Sequence, residues 1–285
     1  MLLIKISFLK SLLGIFLSVI IAIPLVLYPL LYFYQDKLLF FPRKIDNNYL
    51  NSLKKQYSDA KEVQIMTPDK ITLHGWYVKN SQKEQSPLLI YFGGNAEEVS
   101  NLLWDIDQFK NWSLLLVNYR GYGLSEGSPS EKNLFNDAVL LYDEFSQKTE
   151  IDNNKIVAIG RSLGTGVAVY LASQRNLTGI ILVSPYDSIR SLAQEVYPFV
   201  PISLLLKHHF DSLARAPLIN IPMLALIAQE DKIISPRHSL ALIKAWGGVT
   251  YQIIIPDSDH MSIATRREYW KSITAFLNKL ENDAH

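Results

Sequence analysis

The sequence predicts an α/β protein: a mostly parallel sheet flanked by helices, with a short helical insertion and one transmembrane helix in front. Three observations carry this. Short apolar, β-branched runs alternate with amphipathic stretches, the rhythm of βαβ units. No charged residue occurs from Ser11 through Gln35. A strand-like run, Lys155 to Ile159, passes through Gly160-Arg161-Ser162-Leu163-Gly164 into a small-residue helix, Thr165 to Ala172. In that strand–turn–helix setting Gly-x-Ser-x-Gly becomes a nucleophile elbow, with a serine hydroxyl exposed at a helix N-terminus where developing negative charge is favoured.

The elements follow in order. Leu12 to Leu31 is almost wholly apolar, and twenty helical residues span about 30 Å, the thickness of a hydrocarbon core. The run is too long for a cleaved signal peptide and ends in Tyr32-Phe33-Tyr34, aromatic residues suited to a membrane interface. Residues 1–36 are therefore expected to be a single-pass anchor with its flanks, and residues 37–285 one α/β domain. Lys5 and Lys10 precede the span while Lys37, Arg43 and Lys44 follow it, so charge gives no vote on orientation. In a bacterial cell a signal-anchor would place the domain on the extracytoplasmic side. Gln35 to about Lys61 reads as a connector of mixed polarity. Glu62 to Val78 reads as an edge hairpin around Pro68-Asp69. Strands are expected at Pro87–Phe92, Trp112–Tyr119, Lys155–Ile159, Gly179–Val183, Met223–Ala228 and Tyr251–Ile255. Helices are expected at Ala96–Phe109, Glu131–Phe145, Pro236–Trp246 and about Ser262–Leu280. The stretch from about 187 to 218, with Pro198, Pro201 and a Leu-rich patch, breaks the rhythm as a cap-like insertion.

Composition removes several function classes. The chain has no cysteine, which excludes disulfide scaffolds, thiolate metal sites and cysteine nucleophiles. Its net charge of +1 gives no argument for nucleic acid. No His/Asp/Glu group has metal-ligand spacing, so neither metal nor cofactor is expected.

In open α/β sheets ligands bind beyond the carboxyl ends of strands. Four such ends carry chemistry: Gly93-Gly94-Asn95-Ala96, Ser162, Gln229-Glu230-Asp231, and Pro256-Asp257-Ser258-Asp259-His260. Serine, acid and histidine in that order make an acyl-transfer set. Ser162 needs a base to take its proton, and His260 stands in the base's place. A buried carboxylate at Asp231 would hold the imidazole in one tautomer; Glu230 and Asp187 compete for that role. Asp257 and Asp259 read as turn formers, and His74, His208, His209, His238 and His285 lack the placement of His260. Two N–H donors must await the oxyanion, and Leu163 and Asn95 are the candidates.

With these residues in view, the chain resembles the α/β-hydrolase superfamily. Within it, the chain is similar to the membrane-anchored Bem46-like branch related to the ABHD-type hydrolases. The likeness runs from about Gln35 to the C-terminus. It rests on Phe92-Gly93-Gly94-Asn95-Ala96, Asn118 through Gly127, the elbow, Ser184 through Ile189, and Asp231 through Ser239. The resemblance implies an eight-stranded, mostly parallel sheet, with Ser162, Asp231 and His260 as the triad and Asn95 and Leu163 at the oxyanion positions. The family commonly has His-Gly-Asn-Ala where this chain has Gly93-Gly94-Asn95-Ala96, and often Asp where it has Asn118. Loss of that histidine is expected to loosen the oxyanion loop. The implied activity is hydrolysis of an ester or thioester, with an acylated or lipid-like substrate. Amide or peptide cleavage on the same residues and a non-catalytic binding protein on the same fold are the alternatives. The sequence leaves oligomeric state open.

Overall fold

The computed structural model describes residues 2–80 and 82–282; within the first 21 residues it describes side-chain environments only at positions 14, 16 and 18. Helix α1 (Leu2–Leu39) continues through Pro24 and Pro29. Among the described residues no helix is long and apolar enough to cross a membrane. Of the expected span, Leu12 to Leu31, seven side chains in the first half lie outside the described ones.

The connector is not irregular throughout. Helix α2 (Asn47–Gln56) forms where the Asp46 carboxylate accepts the N–H groups of Asn48 and Tyr49, both at 2.9 Å. Those are donors that the first turn leaves unpaired. Its Leu50 and Leu53 are buried, so two apolar contacts hold an otherwise polar helix to the domain.

Strands β1 (Ala60–Met66), β2 (Thr72–Val78), β3 (Ser86–Phe92), β4 (Ser113–Val117), β5 (Ile151–Arg161), β6 (Gly179–Val183), β7 (Met223–Ala228) and β8 (Thr250–Ile255) form one sheet. Its order is β1-β2-β4-β3-β5-β6-β7-β8. β1 and β2 make the expected antiparallel hairpin, and β2 alone runs against the other seven. The central strands are apolar on both faces, as a covered parallel sheet requires. Helices α3 (Glu131–Ser146), α4 (Leu163–Gln174) and α8 (Pro236–Ala245) cover one face, where Phe145, Val167 and Leu242 are buried. Helix α9 (Arg267–Asn282) and a 3₁₀ segment, Val99–Phe109, cover the other, where Leu103 and Phe276 are buried. The insertion consists of α5 (Ile189–Val196), α6 (Ile202–Leu205) and α7 (Ser212–Arg215).

Two helices differ from expectation. The 96–109 stretch winds as 3₁₀ and is broken at Asp105, which has φ −108 and ψ 16. Its entry is held by side chains: Glu98 accepts the Ser100 N–H, and Asn118 Oδ1 accepts the Val99 N–H. The last helix begins at Arg267 instead of near Ser262, because Asp259 accepts the N–H groups of Met261 and Ser262 and closes a separate turn.

Strand register places the site. Phe92 lies opposite Gly160, Arg161 opposite Val183, and Ala228 opposite Ile255. The parallel strands therefore end in line, and the four chemistry-bearing loops leave one edge of the sheet together.

Candidate active site

The elbow is shaped by close packing. Ser162 joins β5 to α4 with φ 50 and ψ −117, a conformation that costs a non-glycine residue of order 1–3 kcal/mol. A Cβ on Gly160 would lie 2.5 Å from the Gly164 carbonyl oxygen. One on Gly164 would lie 2.0 Å from the Phe92 carbonyl oxygen. Both obstacles are backbone atoms and cannot swing aside, so both positions require glycine. The Ser162 N–H donates to the Val183 carbonyl at 2.9 Å, which ties the turn to the next strand.

The structure brings Ser162, His260 and Asp231 into one chain of hydrogen bonds. His260 Nε2 lies 2.9 Å from Ser162 Oγ, and Nδ1 lies 2.7 Å from Asp231 Oδ2. An ionised carboxylate can only accept, so the ring proton sits on Nδ1 and Nε2 faces the serine as acceptor. The other carboxylate oxygen, Oδ1, accepts the N–H groups of Ile233 at 2.9 Å and Ile234 at 2.8 Å. Burial pushes the Asp231 pKa up, but the bonds from His260 and the Ile234 N–H outweigh it. The net direction is down, toward the carboxylate.

The competing acids stand elsewhere. Asp187 Oδ1 lies 3.0 Å from His238 Nδ1 and accepts the Ser188 N–H, so its carboxylate serves a different histidine. Glu230 is exposed. Asp259 caps its own turn, as expected, and Asp257 sits in a turn with φ 50. His74 pairs with Glu62 and His208 with Asp36. His285 lies outside the described residues.

The loop after β3 abuts the serine. A Cβ on Gly94 would lie 3.5 Å from Ser162 Cβ. The Asn95 backbone N–H has no acceptor among the described residues, and Asn95 lines this space. Leu163 follows Ser162 as the first residue of α4, where a backbone N–H has no partner within the helix. The Asn95 side chain turns the other way. Its Nδ2 donates to the Leu39 carbonyl at 2.6 Å, and its Oδ1 accepts from the Phe41 N–H at 2.9 Å and the Tyr122 hydroxyl at 2.8 Å. The loop is thereby fastened to the end of α1.

A family model for serine hydrolases matches residues 141–279, which include the serine, the acid and the histidine. The membrane protein YNL320W of Saccharomyces cerevisiae is 30% identical over 273 residues, covering 92% of this chain and 95% of its own. Protein bem46 of Schizosaccharomyces pombe is 28% identical, covering 92% and 91%. The chain is an α/β-hydrolase of the Bem46-like, ABHD-type branch. Among solved structures, the Pyrococcus furiosus esterase Pf2001 superposes with a TM-score of 0.66 at 19% identity, covering 84% of this chain and 99% of its own. That likeness speaks to the fold.

Against this family, both departures have local compensation. Where a histidine is common, a Cβ on Gly93 would already lie 3.2 Å from Val99 Cγ1. The loop is braced by other means. The Tyr119 hydroxyl donates to the Gly93 carbonyl at 2.9 Å, and Glu97 Oε2 accepts the Gly94 N–H at 2.7 Å. Asn118 donates from Nδ2 to the buried Glu98 carboxylate at 2.7 Å. An aspartate in that place would set two carboxylates face to face.

Sequence reasoning missed the Glu97 group. Glu97 binds Arg161 at 3.1 Å and accepts the Tyr91 hydroxyl at 2.6 Å. Burial and Glu97 together hold the Tyr91 hydroxyl far above its ordinary pKa, so it remains a donor. Burial works against the Arg161 charge, but the Glu97 carboxylate and the neighbouring tyrosines together outweigh it, and the net direction is up. The ion pair thus ties Arg161 of the elbow to the loop that follows β3. Residues separated by 64 positions give no local pattern from which to read such a contact. The serine opens into a cleft of about 590 Å³.

Proposed function

We propose that this hydrolase cleaves an ester or thioester through an acyl-enzyme on Ser162, at a membrane surface. The observation that carries the reading is the Ser162–His260–Asp231 hydrogen-bond chain at the edge of an open cleft. Ser162 Oγ attacks the substrate carbonyl while its proton passes to His260 Nε2. The oxyanion is received by the N–H groups of Leu163 and Asn95, and Asp231 stabilises the imidazolium. His260 then protonates the departing alcohol or thiol. Water, deprotonated by the same nitrogen, attacks the acyl carbonyl, releases the acid and restores Ser162. That the P. furiosus neighbour is an esterase is consistent with this bond class.

The membrane part rests on the uncharged stretch from Ser11 through Gln35, on exposed apolar residues such as Leu25, Val26 and Phe33, and on the description of the yeast relative as a membrane protein. It makes an acylated or lipid-like substrate the natural one. The test uses full-length protein in neutral detergent with a fluorophosphonate probe, beside Ser162→Ala. Labelling of the first and not the second is expected. A folded protein that resists the probe would refute an activated Ser162. Release of the chain from membranes by alkaline carbonate would refute the anchor.

A further inference from the structure

The cleft that holds Ser162 and His260 is also lined by Arg43 and Lys44, just beyond the end of α1. Three acids line it too, and each is occupied. Asp46 caps α2 through two backbone N–H groups. Glu97 is bound to Arg161, Tyr91 and the Gly94 N–H. Glu98 is buried against Asn118 and Ser100. The side chains of Arg43 and Lys44 are exposed and have no hydrogen bond or ion pair among the described residues. The cleft therefore presents two uncommitted cations beside one nucleophile, and formal neutrality of its lining conceals this.

We infer that Arg43 and Lys44 form a subsite for an anionic group, a phosphate or carboxylate, carried by the ester hydrolysed at Ser162. The inference rests on the hydrolase reading of Ser162 and adds the charge class of its substrate. Guanidinium and ammonium donors make charge-assisted bonds to such oxygens, and a guanidinium can do so bidentately. The position fits an interfacial substrate. The chain reaches Arg43 directly after the exposed apolar residues Leu38 and Phe41, so the two cations stand where a polar headgroup would emerge from an apolar layer. Because both side chains are exposed, the attraction weakens as salt rises.

The test compares full-length wild type with the double variant Arg43→Gln/Lys44→Gln in neutral detergent. The substrates are 1-octanoylglycerol 3-phosphate and uncharged 1-octanoylglycerol. Wild type is expected to prefer the phosphate ester, mainly through KM, and 0.5 M NaCl to erode the preference. The double variant is expected to lower the ratio of the two kcat/KM values about tenfold at low salt. A preference seen with the monomeric short ester identifies a soluble anion. One seen only with a long-chain ester in zwitterionic vesicles identifies a lipid headgroup. An unchanged ratio in the variant overturns the subsite, while equal fluorophosphonate labelling of both proteins leaves the hydrolase reading standing. If wild type does not label, the hydrolase reading fails by itself and the subsite is decided by titration with octyl phosphate. Binding about tenfold weaker in the variant supports it, and equal binding overturns it.

Discussion

Asp231 and Asp187 both follow strands and both lie against a histidine, yet one faces the serine's partner and the other does not. This geometry separates their substitutions. Asp231→Asn removes the acceptor that fixes the Nδ1 proton and frees the ring to take the wrong tautomer. A fall in kcat of about 10⁴ is expected, the figure measured for the same change in a serine protease triad. Asp187→Asn should leave fluorophosphonate labelling of Ser162 intact, because its partner is His238. Equal loss in both variants would contradict the assignment. Gly164→Ala tests the elbow. Its new methyl would meet the Phe92 carbonyl oxygen at 2.0 Å, and neither backbone can retreat without parting α4 from β3. Thermal unfolding should show a loss of several kcal/mol, the upper range for a single substitution. An unchanged melting temperature would refute the packing argument. These residues were readable because the pentapeptide and the strand ends are local. The preference for Asp231 over Asp187 comes from strand order and the family resemblance; the histidine that each carboxylate meets depends on distant loops that no local pattern shows.

At the scale of elements, the end of α1 is hydrogen-bonded into the α/β domain on two sides. Gln35 donates to the Leu205 carbonyl at 3.0 Å and accepts the Lys207 N–H at 2.7 Å, and Asp36 lies 2.8 Å from His208. On the other side Asn95 holds Leu39 and Phe41. One helical turn thus joins the insertion to the loop after β3. Asn95→Ala retains the backbone N–H proposed as oxyanion donor and deletes only these ties. If the ties position the loop, kcat should fall about tenfold, short of the 10²–10³ that loss of a whole donor costs. Rates equal to wild type would show that the loop holds its place unaided. The sequence displays α1 as an apolar run but hides this joint, whose polar contacts span more than a hundred positions. It likewise hides α2, where Leu50 and Leu53 give too little periodicity in a polar stretch. By contrast, β6 and β7 were legible to the residue, because a strand covered on both faces is a continuous apolar run between polar turns.

Acid response is a property of the whole molecule, set by how its carboxylates divide. Hydrogen bonds from Arg175 lower the Asp143 pKa, and bonds from Lys54 and His74 overcome burial to lower Glu62. Asp231 is lowered too, its hydrogen bonds outweighing burial. Bonds from Arg120 and Thr67 lower Asp69, and the Thr72 N–H lowers Glu126. Each of these groups binds its proton more weakly when folded than when unfolded. Their stabilisation is complete above the ordinary carboxylate range and is lost as pH falls through the depressed folded values. Asp137 and Asp105 behave oppositely. Burial raises both, and for Asp137 it prevails over the Arg120 pairing at 2.8 Å. These two favour the folded state as they take up protons. The lowered groups outnumber the raised ones, so the balance predicts a melting temperature that is flat near neutrality and falls below about pH 4. The decline should be smaller in Asp143→Asn, which removes one lowered group at a surface ion pair with Arg175 and leaves the core untouched. Calorimetry from pH 7 to pH 2.5 decides the matter. A melting temperature that rises on acidification would mean that the raised groups, Asp137 and Asp105, govern, and that the lowered carboxylates contribute little to holding the sheet and its helices together.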